Sequence, residues 1–324
     1  MKVRDIYTQM KFKFIPEVYQ LENVSPRIYF GYSPLGELTL ITETNENNAV
    51  SYSTINNSVE VAFNKNIRVN SGSDSKEIFA HIVTCIDSTP ENNEIFVDLC
   101  ELYFSESELN SKEILSILGK LSKFFRITKD ITSSEVQGFY AELFFMKIMY
   151  EDNSINISNF WQKREKMKFD FSLSTKLKVE VKSTVSSDRI HTFLHEQLSS
   201  SLYEIYIASV LMREENNGLS LECLINDLLS NYPLSINARE NIIKMKHRIG
   251  KKQMTEVIYD EEYMRRNLKI YNAEEVPKIE DIAPATVTDI TYKSQLSGVE
   301  PLEFIDFIHL ISKRLSLLYY ESVF

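Results

Sequence analysis

Short stretches of alternating apolar and polar residues dominate the first hundred positions, a pattern typical of β-strands. Strand-like runs cover 27–32, 58–63 and 94–99, and the stretch 77–87 fits either a strand or a short helix. Clusters of Asn, Ser and Gly separate these runs and indicate turns. The pattern predicts that residues 1–105 form a β-rich N-terminal domain whose aromatic side chains build a sandwich core.

Helical spacing of apolar residues begins near Ser107 and continues to Phe125. Ser133-Ser134-Glu135 is typical of a helix start, and the helix predicted over about 134–150 is apolar on nearly every side. Such a helix is normally buried, yet Glu142 lies in its middle. Downstream, the pattern predicts a buried strand, two helices and an amphipathic C-terminal helix, over 202–210, 220–230, 237–249 and 301–318.

Two neighbouring stretches, 168–173 and 178–182, each alternate between apolar and polar residues across a short turn. Side chains along a strand point to the two sheet faces in turn, so Asp170, Glu180 and Lys182 can share one face of a hairpin. An apolar layer is expected behind them, formed by Phe169, Phe171, Leu173, Val179 and Val181. The same charges could also be cross-strand ion pairs on a solvated hairpin face.

Two carboxylates and an ammonium on one sheet face suit a magnesium ion and phosphodiester hydrolysis. Asp170 and Glu180 would be the carboxylate ligands, and the backbone carbonyl of Val181 would complete the protein ligands. Lys182 would polarise the attacking water and stabilise the pentavalent state. Glu142 is a third carboxylate, and because a lone buried Glu is costly it needs a partner such as a metal-bound water or Lys182.

Composition and cysteine content narrow the class of protein. Of 324 residues, 43% are hydrophobic and 25% are charged, which is ordinary for a globular protein. The three cysteines are scattered without zinc spacing, and we expect neither a disulfide framework nor secretion. No apolar run is long enough for a membrane helix, so we expect a cytoplasmic protein without membrane contact.

Charge is distributed unevenly along the chain. The net charge of −10 argues against a protein that coats nucleic acid nonspecifically. Residues 163–182 nevertheless form a basic island around the hairpin, and residues 244–252 form a second one. Basic islands of this kind suit contacts with a phosphate backbone, or they are simply solvated surface.

The order of these residues resembles the PD-(D/E)XK nuclease superfamily. The resemblance rests on Glu142 in a helix, Phe169-Asp170, then Glu180-Val181-Lys182, followed by a helix and a buried strand over residues 134–212. It implies an αβββαβ core, Asp and Glu ligands to Mg²⁺ or Mn²⁺, a Lys that assists the attacking water and an accessory acid on the first helix. The Pro that usually precedes the Asp is absent here.

Within that superfamily the chain most resembles bacterial proteins with a β-rich N-terminal region that occur in restriction and phage-defence gene clusters. In that group an Arg-x-His and a Gln follow the Lys, and here these are Arg189, His191 and Gln197. The resemblance makes Gln197 a catalytic-site residue and Arg189 and His191 substrate-binding residues. Lys168 and Lys178 are further candidates for substrate contact.

These observations predict an α+β protein with a restriction-endonuclease-like core at 106–215 and an α/β C-terminal extension at 216–324. The expected function is Mg²⁺-dependent cleavage of DNA, with Mn²⁺ able to substitute, in restriction or phage defence. Double-strand cutting usually needs two active sites, which makes a homodimer or protein partners in a defence complex candidates. The alternatives are a non-cleaving DNA-binding or scaffold subunit that keeps the fold, and a purely structural interaction protein.

A zinc site at His191 and His195 lacks a third ligand.

Overall fold

The computed structural model describes residues 2–11, 18–45, 52–56, 58–71, 74–104, 110–125, 131–161, 168–200, 202–280 and 289–321. The chain divides into two compact units, Met1–Thr128 and Lys129–Phe324, and both mix helices with strands. The expected α+β class is therefore correct. No helix within the described ranges combines the length and the apolar composition that a bilayer span requires.

The first unit contains one six-stranded antiparallel sheet with strand order β1-β2-β3-β6-β5-β4 among its described residues. The strands are β1 (Gln20–Ser25), β2 (Ile28–Tyr32), β3 (Leu38–Glu43), β4 (Tyr52–Asn56), β5 (Val59–Ser71) and β6 (Asp74–Cys85). The helices are α1 (Val3–Gln9), α2 (Pro90–Phe104) and α3 (Ser111–Phe124). Helices α2 and α3 pack on strands of this sheet, so the core is a helix-on-sheet layer rather than a sandwich.

The strand predicted over 94–99 is wrong, because these residues lie inside α2. A short apolar run is compatible with either element, and here Ile95, Phe96 and Leu99 recur at helical spacing and are buried. Phe96 stacks on Phe30 of the sheet with ring centroids 6.3 Å apart. The ambiguous stretch 77–87 is mostly strand, in β6.

The second unit begins with the buried helix predicted around Glu142. Its helices are α4 (Ser133–Glu151), α5 (His195–Leu198), α6 (Leu221–Asn231), α7 (Ile236–Ile249), α8 (Lys251–Glu256), α9 (Glu261–Arg266) and α10 (Phe304–Glu321), with a 3-10 turn at Ser158–Phe160. Its strands are β7 (Phe171–Ser172), β8 (Leu177–Thr184), β9 (Ile190–Leu194), β10 (Glu204–Leu211), β11 (Glu214–Ser220), β12 (Ile258–Tyr259), β13 (Leu268–Asn272) and β14 (Thr291–Gln295). A capping box formed by Thr132 and Glu135 fixes the start of α4.

A four-stranded sheet with order β13-β10-β8-β7 supports the candidate site. Strands β8 and β10 are parallel, which sets Glu180 opposite Ile207 and Lys182 opposite Ser209. Helix α4 packs on the face that carries Val179 and Val181. The chain order α4-β7-β8-β9-α5-β10 matches the expected αβββαβ order, but β9 pairs with β14 and lies outside the four-stranded sheet.

The unit boundary differs from the domain boundaries expected at 105/106 and 215/216. Helix α3 packs on β5 and belongs to the first unit. In the second unit a single apolar cluster extends from α4 to α10 and includes Leu224, Ile242 and Phe307. The residues after 215 therefore share one core with the residues before it. The predicted start of the helix at 107–109 lies outside the described residues.

Candidate active site

The hairpin that carries the site is shorter than the sequence pattern predicts. Only Phe171 and Ser172 pair with β8, opposite Val179 and Lys178. Residues 168–170 form a bend. Because the chain turns there, Phe169 packs in a different apolar cluster from Phe171. The prediction that Phe169 and Phe171 share one apolar layer is therefore wrong.

Asp170 extends the hairpin through its side chain. Its Oδ2 accepts a hydrogen bond of 2.8 Å from the backbone N–H of Val181. The N–H and C=O of one residue in a strand point toward the same neighbouring strand. The Val181 carbonyl therefore lies on the same edge of β8 as the Asp170 carboxylate.

Glu180 is 5% exposed and points away from the face covered by α4. Its Oε1 accepts from Lys182 Nζ at 2.7 Å and from Gln197 Nε2 at 2.6 Å. Its Oε2 is buried and has no hydrogen-bond partner among the described residues. Burial raises the pKa of Glu180 well above its usual range, and the negative charge of Asp170 adds to the effect while Lys182 opposes it.

Lys182 is placed between the carboxylate and an aromatic ring. Its ammonium lies 5.3 Å from the ring centroid of Phe193 and contacts Glu180 on the other side. The side chain keeps 20% of its surface exposed. The ammonium is therefore held beside Glu180 by an ion pair and a cation–π contact.

Glu142 on α4 interacts electrostatically with Glu180. It is 5% exposed, and its negative charge contributes to the raised pKa of Glu180. Its Oε2 accepts a 2.6 Å hydrogen bond from the indole N–H of Trp161. Helix α4 is held against the hairpin by an edge-on contact of Phe145 with Phe171, at 5.6 Å between ring centroids.

Gln197 on α5 joins three parts of the site through its side-chain amide. The amide nitrogen donates to Glu180 and to the backbone carbonyl of Lys168, the latter at 3.0 Å. The amide oxygen accepts from the backbone N–H of Leu194 at 3.0 Å. All the polar atoms of this amide are therefore used to fix Glu180 relative to the two flanking segments.

A protein-family model matches residues 17–297, and its description is "Putative PD-(D/E)XK family member, (DUF4420)". The chain belongs to this family. The match confirms the resemblance to the PD-(D/E)XK superfamily. No curated protein and no solved structure matches the chain.

The structure of this PD-(D/E)XK family member places Arg189 and His191 in the interior rather than at a substrate surface. Arg189 donates to the carbonyl and the hydroxyl of Ser209 and to the carbonyl of Asn267. His191 Nε2 lies 2.9 Å from the same Ser209 hydroxyl. Both residues are about 4% exposed, which favours a supporting role behind Lys182 over phosphate contact.

The two lysines expected to contact substrate differ in placement. Lys168 is exposed and forms an ion pair with Glu196. Lys178 donates to the carbonyl of Ser174 at 2.9 Å and lies over the ring of Tyr203, and burial lowers its pKa. Lys163, Arg164 and Lys166 of the first basic island lie outside the described residues.

The sequence pattern did not single out Trp161 and Ser209, which both make polar contacts near the site. A buried indole usually donates a hydrogen bond, so the only Trp of the chain could have indicated a buried acceptor nearby. Ser209 is a fully buried polar residue among the apolar residues of β10. Because buried polar groups need hydrogen-bond partners, its position in an apolar run could have indicated a polar contact.

The oxygen atoms at this site fit a hard divalent cation. In the part of the chain that the structure describes, no group of three or more His, Cys, Asp or Glu side chains is arranged to hold a metal ion. Magnesium needs only one or two carboxylates, since water and phosphate complete its coordination. Asp170, the Val181 carbonyl and Oε2 of Glu180, which has no hydrogen-bond partner in the described part of the chain, supply such a set.

Proposed function

We propose that this protein is a metal-dependent DNA endonuclease that uses Mg²⁺, with Mn²⁺ able to substitute. The observation that carries the proposal is the buried Glu180 carboxylate, which leaves Oε2 without a hydrogen-bond partner among the described residues. A buried anionic oxygen without a partner is costly unless a cation completes it. The charge of Asp170 acts on the same carboxylate and Lys182 forms an ion pair with it, an arrangement that suits metal-dependent phosphodiester hydrolysis.

Each site residue has a distinct task in this reaction. Asp170, Glu180 and the carbonyl of Val181 would hold the ion, which when bound supplies Lewis acidity and a more acidic water. Lys182 orients the attacking water and offsets the negative charge that builds on the phosphate. Gln197 fixes Glu180, and Glu142 accepts a hydrogen bond from water at the inner side of the site.

DNA would be held mainly through its phosphates. Lys168 lies at the edge of the site, and the second basic island presents Lys244, Lys251 and Lys252 as exposed cations. Phosphate contacts position a duplex without selecting its sequence, so target choice needs base contacts or a partner. The resemblance to proteins of restriction and phage-defence clusters supports a role in defence, and double-strand cutting by this chain would call for a homodimer or a protein partner.

The test is a cleavage assay on supercoiled, linear, methylated and unmethylated DNA at low salt, with Lys182→Ala beside wild type. Low salt is needed because phosphate contacts weaken steeply as salt rises. Lys269→Ala is the matched control, since Lys269 is exposed on β13 of the same sheet. We expect a loss of about 100-fold or more for Lys182→Ala and no loss for the control. Metal binding without cleavage of any DNA by the wild type would favour the non-cleaving subunit instead.

A further inference from the structure

Trp161 is the only tryptophan of the chain and is held rigidly beside the site. It is 4% exposed and forms an isolated antiparallel bridge with Phe171, next to Asp170. Its ring stacks on Phe139 of α4, with ring centroids 6.2 Å apart. The indole is thus fixed both through its backbone and through its ring.

The indole N–H makes a short hydrogen bond, 2.6 Å long, to Oε2 of Glu142. An indole can only donate, so this contact requires an acceptor oxygen on Glu142. A hydrogen bond from a neutral donor to a carboxylate is stronger when the acceptor is charged. The contact therefore holds the buried Glu142 carboxylate in one orientation on its apolar helix.

We propose that Trp161 is a positioning residue that holds the Glu142 carboxylate in place for the metal site. This inference rests on the proposed function. Outer partners that orient the groups around a metal commonly change metal affinity by about 10-fold to 100-fold when they are removed. Trp161 acts in this way on Glu142, much as Gln197 acts on Glu180.

Two variants distinguish a hydrogen-bonding role of Trp161 from a role in packing alone. Trp161→Phe keeps an aromatic ring on Phe139 but removes the N–H donor. Phe139→Leu removes the ring stacking and leaves the donor in place. The two variants therefore separate the role of the indole N–H from that of the apolar contact.

The first experiment measures Mn²⁺ affinity by calorimetry for the full chain and for Trp161→Phe, Glu142→Gln, the double variant and Phe139→Leu. We expect Trp161→Phe to bind Mn²⁺ at least about 10-fold more weakly, Phe139→Leu to bind close to wild type, and the double variant to match Glu142→Gln. Equal affinity in Trp161→Phe and wild type, or an equal loss in Phe139→Leu, overturns the inference while the nuclease proposal stands. No Mn²⁺ binding by the wild type overturns both.

The second measurement begins with the unmodified protein, so its main result does not depend on the folding of a variant. Because the chain has one tryptophan, its fluorescence reports on the surroundings of this indole, which include the hydrogen bond to Glu142. Titration with Mg²⁺, which does not quench as a paramagnetic ion would, should change the emission with the same midpoint as a calorimetric titration with Mg²⁺. The change should be lost in Glu142→Gln. Metal binding without any change in emission contradicts the role assigned to Trp161.

Discussion

The side-chain amide of Gln197 lies 2.6 Å from Oε1 of Glu180, the oxygen that Lys182 contacts as well. Two donors on one oxygen fix the carboxylate and direct the other oxygen, Oε2, into a buried position without a hydrogen-bond partner among the described residues. The arrangement preorganises Glu180 as a ligand with one available oxygen. It also makes Gln197 essential to that geometry.

Gln197→Met tests this dependence, because methionine has a similar length and no donor. We expect Mn²⁺ affinity to fall by about 10-fold or more, since Glu180 loses its orienting partner. The free energy of unfolding should fall by about 1–3 kcal/mol, since the backbone N–H of Leu194 loses its acceptor. Calorimetry and urea unfolding measure the two effects.

Gln295→Met is the matched control for this change. Gln295 is exposed on β14 and its amide donates to the hydroxyl of the neighbouring Ser297. It should change neither quantity beyond about 0.5 kcal/mol. A Gln197→Met protein that binds metal as tightly as the wild type would refute the orienting role.

Helix and strand periodicity was sufficient to predict the elements that carry the site. The buried helix with Glu142 and the buried strand β10 are where the sequence places them, because each has a long and consistent apolar pattern. The pattern failed at Phe169, where the Asp170 side chain replaces a backbone ladder bond. It failed again at 94–99, where a short apolar run fits either element.

Contacts between distant segments could not be predicted from periodicity. Arg189 was expected at the substrate, yet its guanidinium binds Ser209 and Asn267, which are 20 and 78 residues away. The pairing of β9 with β14 likewise joins segments about a hundred residues apart. Only the folded chain reveals which buried acceptors exist for a given donor.

Glu180→Gln should stabilise the metal-free protein. Burial and the charge of Asp170 raise the pKa of Glu180, so the folded protein holds this proton more tightly than the unfolded chain does. Metal-free stability therefore falls as pH rises above the ordinary carboxyl range, and a neutral amide removes that loss. We expect a gain on the order of 1–3 kcal/mol at neutral pH in urea unfolding.

Glu300→Gln is the control, because Glu300 is exposed and the change in net charge is the same. It should leave the free energy of unfolding unchanged within about 0.5 kcal/mol. If Glu180→Gln is less stable than the wild type in metal-free buffer, burial and the charge of Asp170 do not destabilise the ionised Glu180 carboxylate.

His191 should make the protein sensitive to mild acid. Burial lowers the pKa of His191 to about 4, and the positive charges of Lys182 and Arg189 act in the same direction. The folded state therefore binds this proton more weakly than the unfolded chain, whose histidine titrates near pH 6.5. The contribution of neutral His191 to the free energy of unfolding is fully present above pH 6.5. It is lost as the pH falls toward 4, which lowers the free energy of unfolding by about 3 kcal/mol.

His191→Gln removes the titration, so its free energy of unfolding should depend less steeply on pH in this window. His309→Gln is the comparison, since His309 is exposed on α10. Urea unfolding across the window measures both slopes. An unchanged slope in His191→Gln would show that His191 is not held neutral by its surroundings.

Cleavage of DNA by wild type and Glu180→Gln, with Mg²⁺ and with Mn²⁺ at low salt, tests the central claim most directly. The variant is expected to be folded and more stable than the wild type, so lost activity cannot be attributed to unfolding. We predict metal-dependent cleavage by the wild type and a loss of about 100-fold or more in Glu180→Gln. Cleavage by Glu180→Gln at the wild-type rate would contradict the assignment of this site.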